Sequence, residues 1–559
     1  MFRLRSLALA TALAAFNPAL AHAQLPEPVS QALRTTGIAE DAVSVLVLRD
    51  NQTVISHLAD RAMQPASTMK LVSTLIGLET LGPVFRSRTE LRTTGDIQGE
   101  TLKGDLVLRG GADVDLSGEA LETMLRSLRY QGIRKIDGHL VIDRQLFNPA
   151  RPDLGVAPFD ESPEAYYNVI PDAAMINKNM LQLDLRSTDK QLKVQMQPEL
   201  QGVTVSHDMK LIDANCENWE SGWNLPEAVP QADGGIKVVL HGTFPKKCNQ
   251  SYSVNVVDRQ AYVDRLFRAT WKRLGGSISD TTIEGATPPG SRQLAAHLSR
   301  TLPEIVRDTN KPSDNLLARL IFLSLGALEA DPLLGSHPQA AGAEITFSRS
   351  DAVVRNWMRA HGINDAGLVL ENGSGLSRTE RITPVQMGGL LQAGLRSPWA
   401  PEFLSSMPIV AVDGTMRRRL HGSPAAGRAR MKTGTLSNVV ALAGYVPDAS
   451  GKPLVVVAMV NSDLAGNGRG RAVLDTLVDW VAHLGGPAQP VLAIPGQPAP
   501  SQPTPGPQPT PQGMLATPPA QPEQASQPAQ PQPRQQQQQQ QGQDGMQRQP
   551  VPQPVGAGR

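Results

Sequence analysis

Shortly after Pro65 the chain reads Ser67-Thr-Met-Lys-Leu-Val-Ser-Thr-Leu-Ile-Gly-Leu-Glu-Thr-Leu81, and its fold can be inferred from this segment outward. It is apolar almost all round, and this pattern is typical of a helix buried inside a domain. Ser67 and Lys70 would share one helix face about one turn apart, so the amine can reach the hydroxyl. Backbone N–H groups at a helix start also lack partners within the helix. The stretch therefore predicts a buried helix with a serine and a lysine paired near its beginning.

Two further short patterns complete a catalytic set, namely Ser313-Asp-Asn315 and Lys432-Thr-Gly434. A lysine accepts a proton from a serine hydroxyl only when it is itself deprotonated. Burial and a second cation, here Lys432, both favour the neutral amine of Lys70. S-x-x-K, S-x-N and K-T-G patterns occur together in penicillin-binding proteins and β-lactamases.

Each pattern is weak alone, because Ser187-Thr-Asp-Lys190 and Ser253-Val-Asn255 match the first two as well. The first of these opens no apolar helix, and the second lies inside a β-type run. An ordinary helix start with an extended lysine, and a capping turn after Pro312, are the alternatives for the first two patterns. Lys432-Thr-Gly434 opens a strand whose backbone can pair with an extended peptide. The order and context of all three favour a serine nucleophile at Ser67.

The two ends of the chain differ from its middle. Residues 1–23 combine a basic start, a short apolar run and Ala21-His-Ala23, which together predict a secretory signal peptide. Residues 487–559 are rich in Pro, Gln, Gly and Ala, so this tail is predicted to be disordered. Neither segment has the pattern of a stable membrane anchor. The sequence thus predicts an exported, soluble protein, in a periplasm or an equivalent wall space.

Charge and cysteine content narrow the possible partners. There are 53 basic and 52 acidic residues, which gives no indication of a nucleic-acid partner. Cys216 and Cys248 favour a disulfide in an exported chain, with free thiols as the alternative. The histidines and cysteines show no metal-ligand spacing, so neither a metal site nor a cofactor is predicted. His57 is expected to be structural, and the oligomeric state is not predicted.

The coarse pattern of elements indicates an α+β fold with a discontinuous domain. Val43–Leu48 and Thr53–Leu58 read as a β-hairpin, and Lys432–Val446 and Pro453–Val460 read as strands. Helices are expected around 118–130, 294–328, 348–361 and 471–484. We expect residues 24–83 and 284–486 to form one domain, an antiparallel sheet flanked by helices. Residues 84–283 would be an inserted β-rich or mixed module of two subdomains.

With these motifs and the residues around them, the chain resembles the class C low-molecular-mass penicillin-binding proteins, the D-Ala-D-Ala carboxypeptidase/endopeptidases. The matching stretches are Pro65–Leu71, Lys311–Leu317, Asn372-Gly-Ser-Gly-Leu-Ser-Arg378, Val412-Asp-Gly-Thr-Met-Arg-Arg418, Met431–Leu436 and Ala443-Gly-Tyr445. The long insertion between Ser67 and Ser313 fits the same family. Two departures are Gly111-Ala-Asp-Val114, where the family has Gly-Asp-Pro, and Asn372, where it has Asp.

The resemblance implies a penicillin-recognising fold, a role for each motif residue, and peptidoglycan stem peptides as substrate with β-lactams as covalent inhibitors. Ser67 would attack the carbonyl between two D-alanines, Lys70 would take its proton, and Ser313 would pass a proton to the leaving amine. The substrate-binding residues would be Asn315, Lys432, Thr433, Gly434 and Thr435, with the backbone N–H groups of Ser67 and Thr435 as oxyanion hole.

Two other functions stay open from the sequence. A β-lactamase would share the acylation apparatus but deacylate quickly, and a wall-binding scaffold would keep the fold without activity. The large insertion argues against the first, and the complete set of motif residues argues against the second. The balance between carboxypeptidase and endopeptidase activity is not predicted, because both reactions break a bond on the carboxyl side of a D-alanine.

Overall fold

The computed structural model describes residues 24–340 and 342–485. The predicted signal peptide and the predicted C-terminal tail therefore lie outside the described residues. The α-helices of the described part are α1 (Glu27–Thr36), α2 (Lys70–Leu81), α3 (Gly118–Tyr130), α4 (Arg259–Arg273), α5 (Leu302–Asn310), α6 (Asn315–Leu325), α7 (Thr346–Ala360), α8 (Pro384–Arg396), α9 (Ala400–Ser406) and α10 (Arg469–Ala482).

The strands follow the same chain order. They are β1 (Val43–Arg49), β2 (Gln52–His57), β3 (Arg88–Thr93), β4 (Asp96–Gln98), β5 (Thr101–Lys103), β6 (Leu106–Arg109), β7 (Lys135–Asp137), β8 (Leu140–Asp143), β9 (Leu181–Ser187), β10 (Leu192–Gln197), β11 (Val203–His207), β12 (Lys210–Ile212), β13 (Trp223–Pro230), β14 (Ile236–Pro245), β15 (Asn249–Val254), β16 (Ser277–Ile278), β17 (Thr282–Glu284), β18 (Arg292–Leu298), β19 (Leu328–Asp331), β20 (Gly335–Pro338), β21 (Arg430–Leu436), β22 (Val439–Pro447) and β23 (Pro453–Asn461).

One antiparallel sheet joins the two ends of the described chain in the order β2-β1-β23-β22-β21. Its side chains alternate between two cores, as the period of a strand requires. Val45 and Leu442 face the cluster that includes α1 and α10, whereas Leu46 and Ala441 face the one that includes α2 and α8. The predicted α+β architecture, an antiparallel sheet flanked by helices, is confirmed.

Helix α2 is buried, as its uniformly apolar sequence predicts. Leu71, Leu75 and Leu78 have no exposed surface. A Cβ at Gly77 would come within 2.8 Å of Ile321 on α6, so this glycine allows the two helices to cross closely. The segment begins with a 3₁₀ turn over Ala66–Met69, and α-helical geometry starts only at Lys70. The serine therefore stands on the tighter turn at the start of the helix.

The middle of the chain forms several smaller sheets. Two of them, β16-β7-β5-β4 and β17-β8-β6-β3-β18, share a core with α3 and α4. The others are β10-β9-β15 and a sheet of β11, β12 and β13 around β14. Cys216 and Cys248 form a disulfide in this region, as predicted. The division into domains at residues 84 and 283 stays a prediction.

Two predicted elements were wrong. Residues 294–298, expected to be helical, belong to β18, because this segment pairs along the outer side of β3 and the pairing overrides helix propensity. Lys432–Val446, expected to be one strand, is a hairpin of β21 and β22 that turns at Ser437 and Asn438. The hairpin places Lys432 opposite Ala443 at the edge of the central sheet.

Candidate active site

The candidate nucleophile lies on the turn before α2. The carbonyl of Pro65 accepts hydrogen bonds from both the backbone N–H (3.2 Å) and the hydroxyl (2.8 Å) of Thr68, and these bonds fix the turn. Lys70 Nζ donates to Ser67 Oγ across 3.0 Å. Ser67 is half-buried, whereas Lys70 has no exposed surface. The geometry is that of a partly exposed serine whose base is fully buried.

The amine of Lys70 is held by two further acceptors. It donates to Asn315 Oδ1 across 2.6 Å and to the carbonyl of Ser374 across 2.5 Å. Burial lowers the pKa of Lys70 to about 7, and nearby Asp314 and Glu380 oppose that shift. A lysine with a pKa near neutrality exists partly as the free base at physiological pH, as a general base must.

A second lysine–serine pair faces the first. Lys432 Nζ donates to Ser313 Oγ and to the carbonyl of Thr433, each across 2.8 Å. Lys432 is completely buried, and its pKa is lowered well below the usual value, mainly by burial and further by the charge of Lys70. Ser313 has a left-handed backbone conformation with φ of 68°, which is uncommon for a serine and is found at functional sites.

Strand β21 forms the other wall of the site. It is the end strand of the central sheet, and a bridge between Ile409 and Arg430 occupies the start of its outer side. An extended peptide would therefore pair with the residues that follow Met431. A Cβ at Gly434 would lie 2.6 Å from the carbonyl oxygen of Pro65 and 3.0 Å from the backbone nitrogen of Ser67. Only glycine therefore lets the strand approach the nucleophile this closely. Thr435 follows at once and is half-buried, and the Thr433 hydroxyl donates to the Thr415 hydroxyl (2.8 Å).

The structure brings together all the predicted site residues. They are Ser67, Lys70, Ser313, Asn315, Lys432, Thr433, Gly434 and Thr435. The rejected look-alikes lie elsewhere, with Ser187 in β9 and Ser253 in β15. His57 is the last residue of β2, and its Nε2 lies 3.1 Å from the carbonyl of Glu40.

Two backbone contributions were missed by sequence reasoning. The carbonyl of Tyr167 accepts from Asn315 Nδ2 (3.1 Å), so the middle of the chain reaches the site. The carbonyl of Ser374 contacts Lys70, although the stretch Asn372–Arg378 was noted only as part of the family resemblance. No side-chain motif signals a backbone acceptor, but the glycines on both sides of Ser374 indicate a close approach of the chain.

Residues 24–340 and 342–485 contain no group of three or more His, Cys, Asp or Glu side chains that could hold a metal ion. The helices of the same ranges are all too short or too polar to cross a membrane.

Solved structures of known proteins share this fold. The crystal structure of penicillin binding protein 4 from Haemophilus influenzae superimposes with a TM-score of 0.67 at 24% identity, and the match covers 82% of this chain and 100% of that one. The shared fold is that of the penicillin-binding proteins.

Sequence comparison gives the family. Residues 26–484 match the model of the D-Ala-D-Ala carboxypeptidase 3 (S13) family, and the chain belongs to this family. It is 26% identical over 444 residues to the D-alanyl-D-alanine carboxypeptidase DacB of Haemophilus influenzae, which is 78% of this chain and 88% of that protein. It is 28% identical over 480 residues to a D-alanyl-D-alanine carboxypeptidase of an Actinomadura species, which is 80% of this chain and 84% of that protein. The predicted resemblance and enzyme class, a serine-type D-Ala-D-Ala peptidase, are confirmed.

Proposed function

We propose that the enzyme cleaves D-alanyl bonds of peptidoglycan stem peptides through an acyl-enzyme on Ser67. The observation that carries this proposal is the contact of Lys70 Nζ with Ser67 Oγ at 3.0 Å, in a site where burial brings the pKa of that amine to about 7. The neutral amine accepts the hydroxyl proton while Oγ attacks the carbonyl carbon of the penultimate D-alanine. The tetrahedral oxyanion then lies between the backbone N–H groups of Ser67 and Thr435.

Collapse of this intermediate breaks the peptide bond and requires a proton on the leaving amine. The Ser313 hydroxyl would deliver it, and its contact with Lys432 provides a route for that proton. Lys432, Thr433 and Thr435 present amine and hydroxyl hydrogen-bond donors to the terminal carboxylate of the substrate. Asn315 holds a substrate amide while its Oδ1 keeps Lys70 in place. Water then releases the acyl group and restores Ser67.

The same site serves both terminal and cross-linked peptides, because each presents a carbonyl on the carboxyl side of a D-alanine. The two reactions are separated by their products. Purified protein is incubated with linear pentapeptide muropeptides and with D-alanyl cross-linked dimers. We expect D-alanine from the first and monomers from the second, and neither from a Ser67→Ala variant. An active Ser67→Ala variant would overturn the assignment of the nucleophile.

The two alternatives predict different outcomes with benzylpenicillin. A penicillin-binding peptidase forms a lasting adduct on Ser67 and loses its activity on muropeptides. A β-lactamase consumes the drug and retains no adduct, and a scaffold protein does neither. Cleavage of muropeptides together with a lasting adduct is therefore the pattern that the proposal requires.

The location of the enzyme is part of the proposal. Residues 1–23 have the pattern of a signal peptide, and the substrate lies outside the cytoplasm, so we place the mature protein in the periplasm or wall space as a free, soluble enzyme. Mass spectrometry of the mature N-terminus tests this directly. A chain that begins at Gln24 supports export, and a chain that retains Met1 in the cytoplasm contradicts it.

A further inference from the structure

A buried carboxylate, that of Glu380, lies beside the catalytic residues. Glu380 has no exposed surface, and its two oxygens accept four backbone N–H bonds. Oε1 accepts from Glu371 (3.2 Å), Asn372 (3.0 Å) and Gly373 (2.9 Å), and Oε2 accepts from Gly375 (2.9 Å). Burial raises the pKa of Glu380, and the N–H donors oppose this by stabilising the ionised form.

The loop gathered by Glu380 is pressed against the nucleophile turn. Gly373 and Gly375 both have positive φ, 69° and 81°. A Cβ at Gly375 would lie 1.9 Å from the carbonyl oxygen of Ala66 and 2.7 Å from the backbone nitrogen of Ser67. The residue between the two glycines, Ser374, is the one whose carbonyl accepts from Lys70. A shift of this loop therefore moves an acceptor of the catalytic amine.

Asn372 braces the same loop through three hydrogen bonds. Its Oδ1 accepts from the Ser374 N–H (3.0 Å) and hydroxyl (2.6 Å), and its Nδ2 donates to the Leu376 carbonyl (2.8 Å). An ionised aspartate makes the first two bonds but has no donor for the third. With a neutral amide at 372, the buried negative charge at the centre of the loop is that of Glu380.

Four charged groups act on Lys70 or are acted on by it. Asp314, before α6, and Glu380 favour the ammonium form, and Arg319 on α6 opposes it. Lys432 on β21 is influenced in turn by the charge of Lys70. Asp314 has its own partners, because it accepts from the Tyr166 hydroxyl (2.6 Å) and from the backbone N–H of Leu317 in the first turn of α6.

We propose that Glu380 is a positioning residue for acylation, which fixes the Ser374 carbonyl against Lys70 and supplies a buried negative charge to this loop. This inference rests on the proposed function of Lys70 as the general base. It implies that residues 372 and 380 act as a pair in which one member carries the charge. Exchanging amide and carboxylate between them should then preserve the base.

The test measures the rate constant for acylation by a fluorescent penicillin between pH 5.5 and 9. In Glu380→Gln, loss of the negative charge should shift the acid limb of the profile to lower pH by about 0.5–1 unit. The plateau should fall about tenfold, because a weaker base is held by a looser loop. In Asn372→Asp/Glu380→Gln the charge returns to the loop, and the acid limb should move back toward that of the wild type.

Two single variants complete the design. Asn372→Asp adds a second negative charge to the loop, with loss of the bond to the Leu376 carbonyl, and should shift the acid limb to higher pH. The proposal therefore remains testable if Glu380→Gln does not fold. Glu79→Gln removes a carboxylate that accepts from the Trp357 indole, at the far end of α2, and should leave the profile unchanged. An unmoved acid limb in Asn372→Asp, or in a folded Glu380→Gln, overturns the inference. A wild type that never acylates overturns the proposed function instead.

Discussion

Replacing Gly434 by alanine tests how closely β21 must approach the nucleophile. The added Cβ would lie 2.6 Å from the Pro65 carbonyl oxygen, whereas ordinary contact begins at 3.4 Å, so strand or turn must move by about 0.8 Å. Overpacking of this kind costs about 1–3 kcal/mol. The same movement separates the N–H groups of Ser67 and Thr435, and loss of one oxyanion donor costs about 10²–10³-fold in rate.

The assay is the acylation rate with benzylpenicillin, combined with thermal unfolding. We expect Gly434→Ala to acylate about 10²–10³-fold more slowly, with a melting temperature only a few degrees lower. The matched control is Gly422→Ala, because no atom lies within 4 Å of a Cβ built there. It should behave as the wild type. Acylation of Gly434→Ala within a fewfold of the wild-type rate would refute the close packing of strand and nucleophile.

Three further predictions follow from the same contacts. The pKa of Lys70 is about 7 and the free base is the active form, so the wild-type acylation rate should rise with pH. At pH 5.5 the rate should lie about thirtyfold below its plateau, and a flat profile would contradict the role of Lys70 as base. Ser313→Ala leaves Lys432 without its hydroxyl partner and should slow peptide cleavage about 10²-fold, as steady-state kinetics would show. Cys216→Ser/Cys248→Ser should lower the free energy of unfolding by about 3–4 kcal/mol in denaturant titrations. Penicillin acylation should stay intact, since both cysteines pack in the core of the middle segment, whereas the residues around Ser67 and Asn315 pack in another core.

The sequence predicted those features that depend on side-chain pattern. The apolar run from Lys70 to Leu81 could only be a buried helix, and the alternation in β22 already separated the residues of the two cores. The motif residues were identified because their chemistry lies in their own side chains. Pattern was sufficient where residues with such functional groups stand together in a short motif.

The features that the sequence did not predict depend on contacts between segments that are distant along the chain. The carbonyls of Ser374 and Tyr167 act through the backbone, which every residue has, so no letter of the sequence distinguishes them. The strand at 292–298 forms because β3 offers it a partner, and local propensity does not contain that information. Glu380 was overlooked because four backbone donors and complete burial turn an ordinary surface residue type into a structural anion.

In the proposed mechanism, Ser67 forms the acyl-enzyme with Lys70 as its base. Intact mass spectrometry after brief exposure to benzylpenicillin, followed by peptide mapping, tests it most directly. We predict one added benzylpenicillin per chain on the peptide that contains Ser67, and no addition in Ser67→Ala. An adduct that persists in Ser67→Ala, or that maps to another peptide in the wild type, would contradict the account.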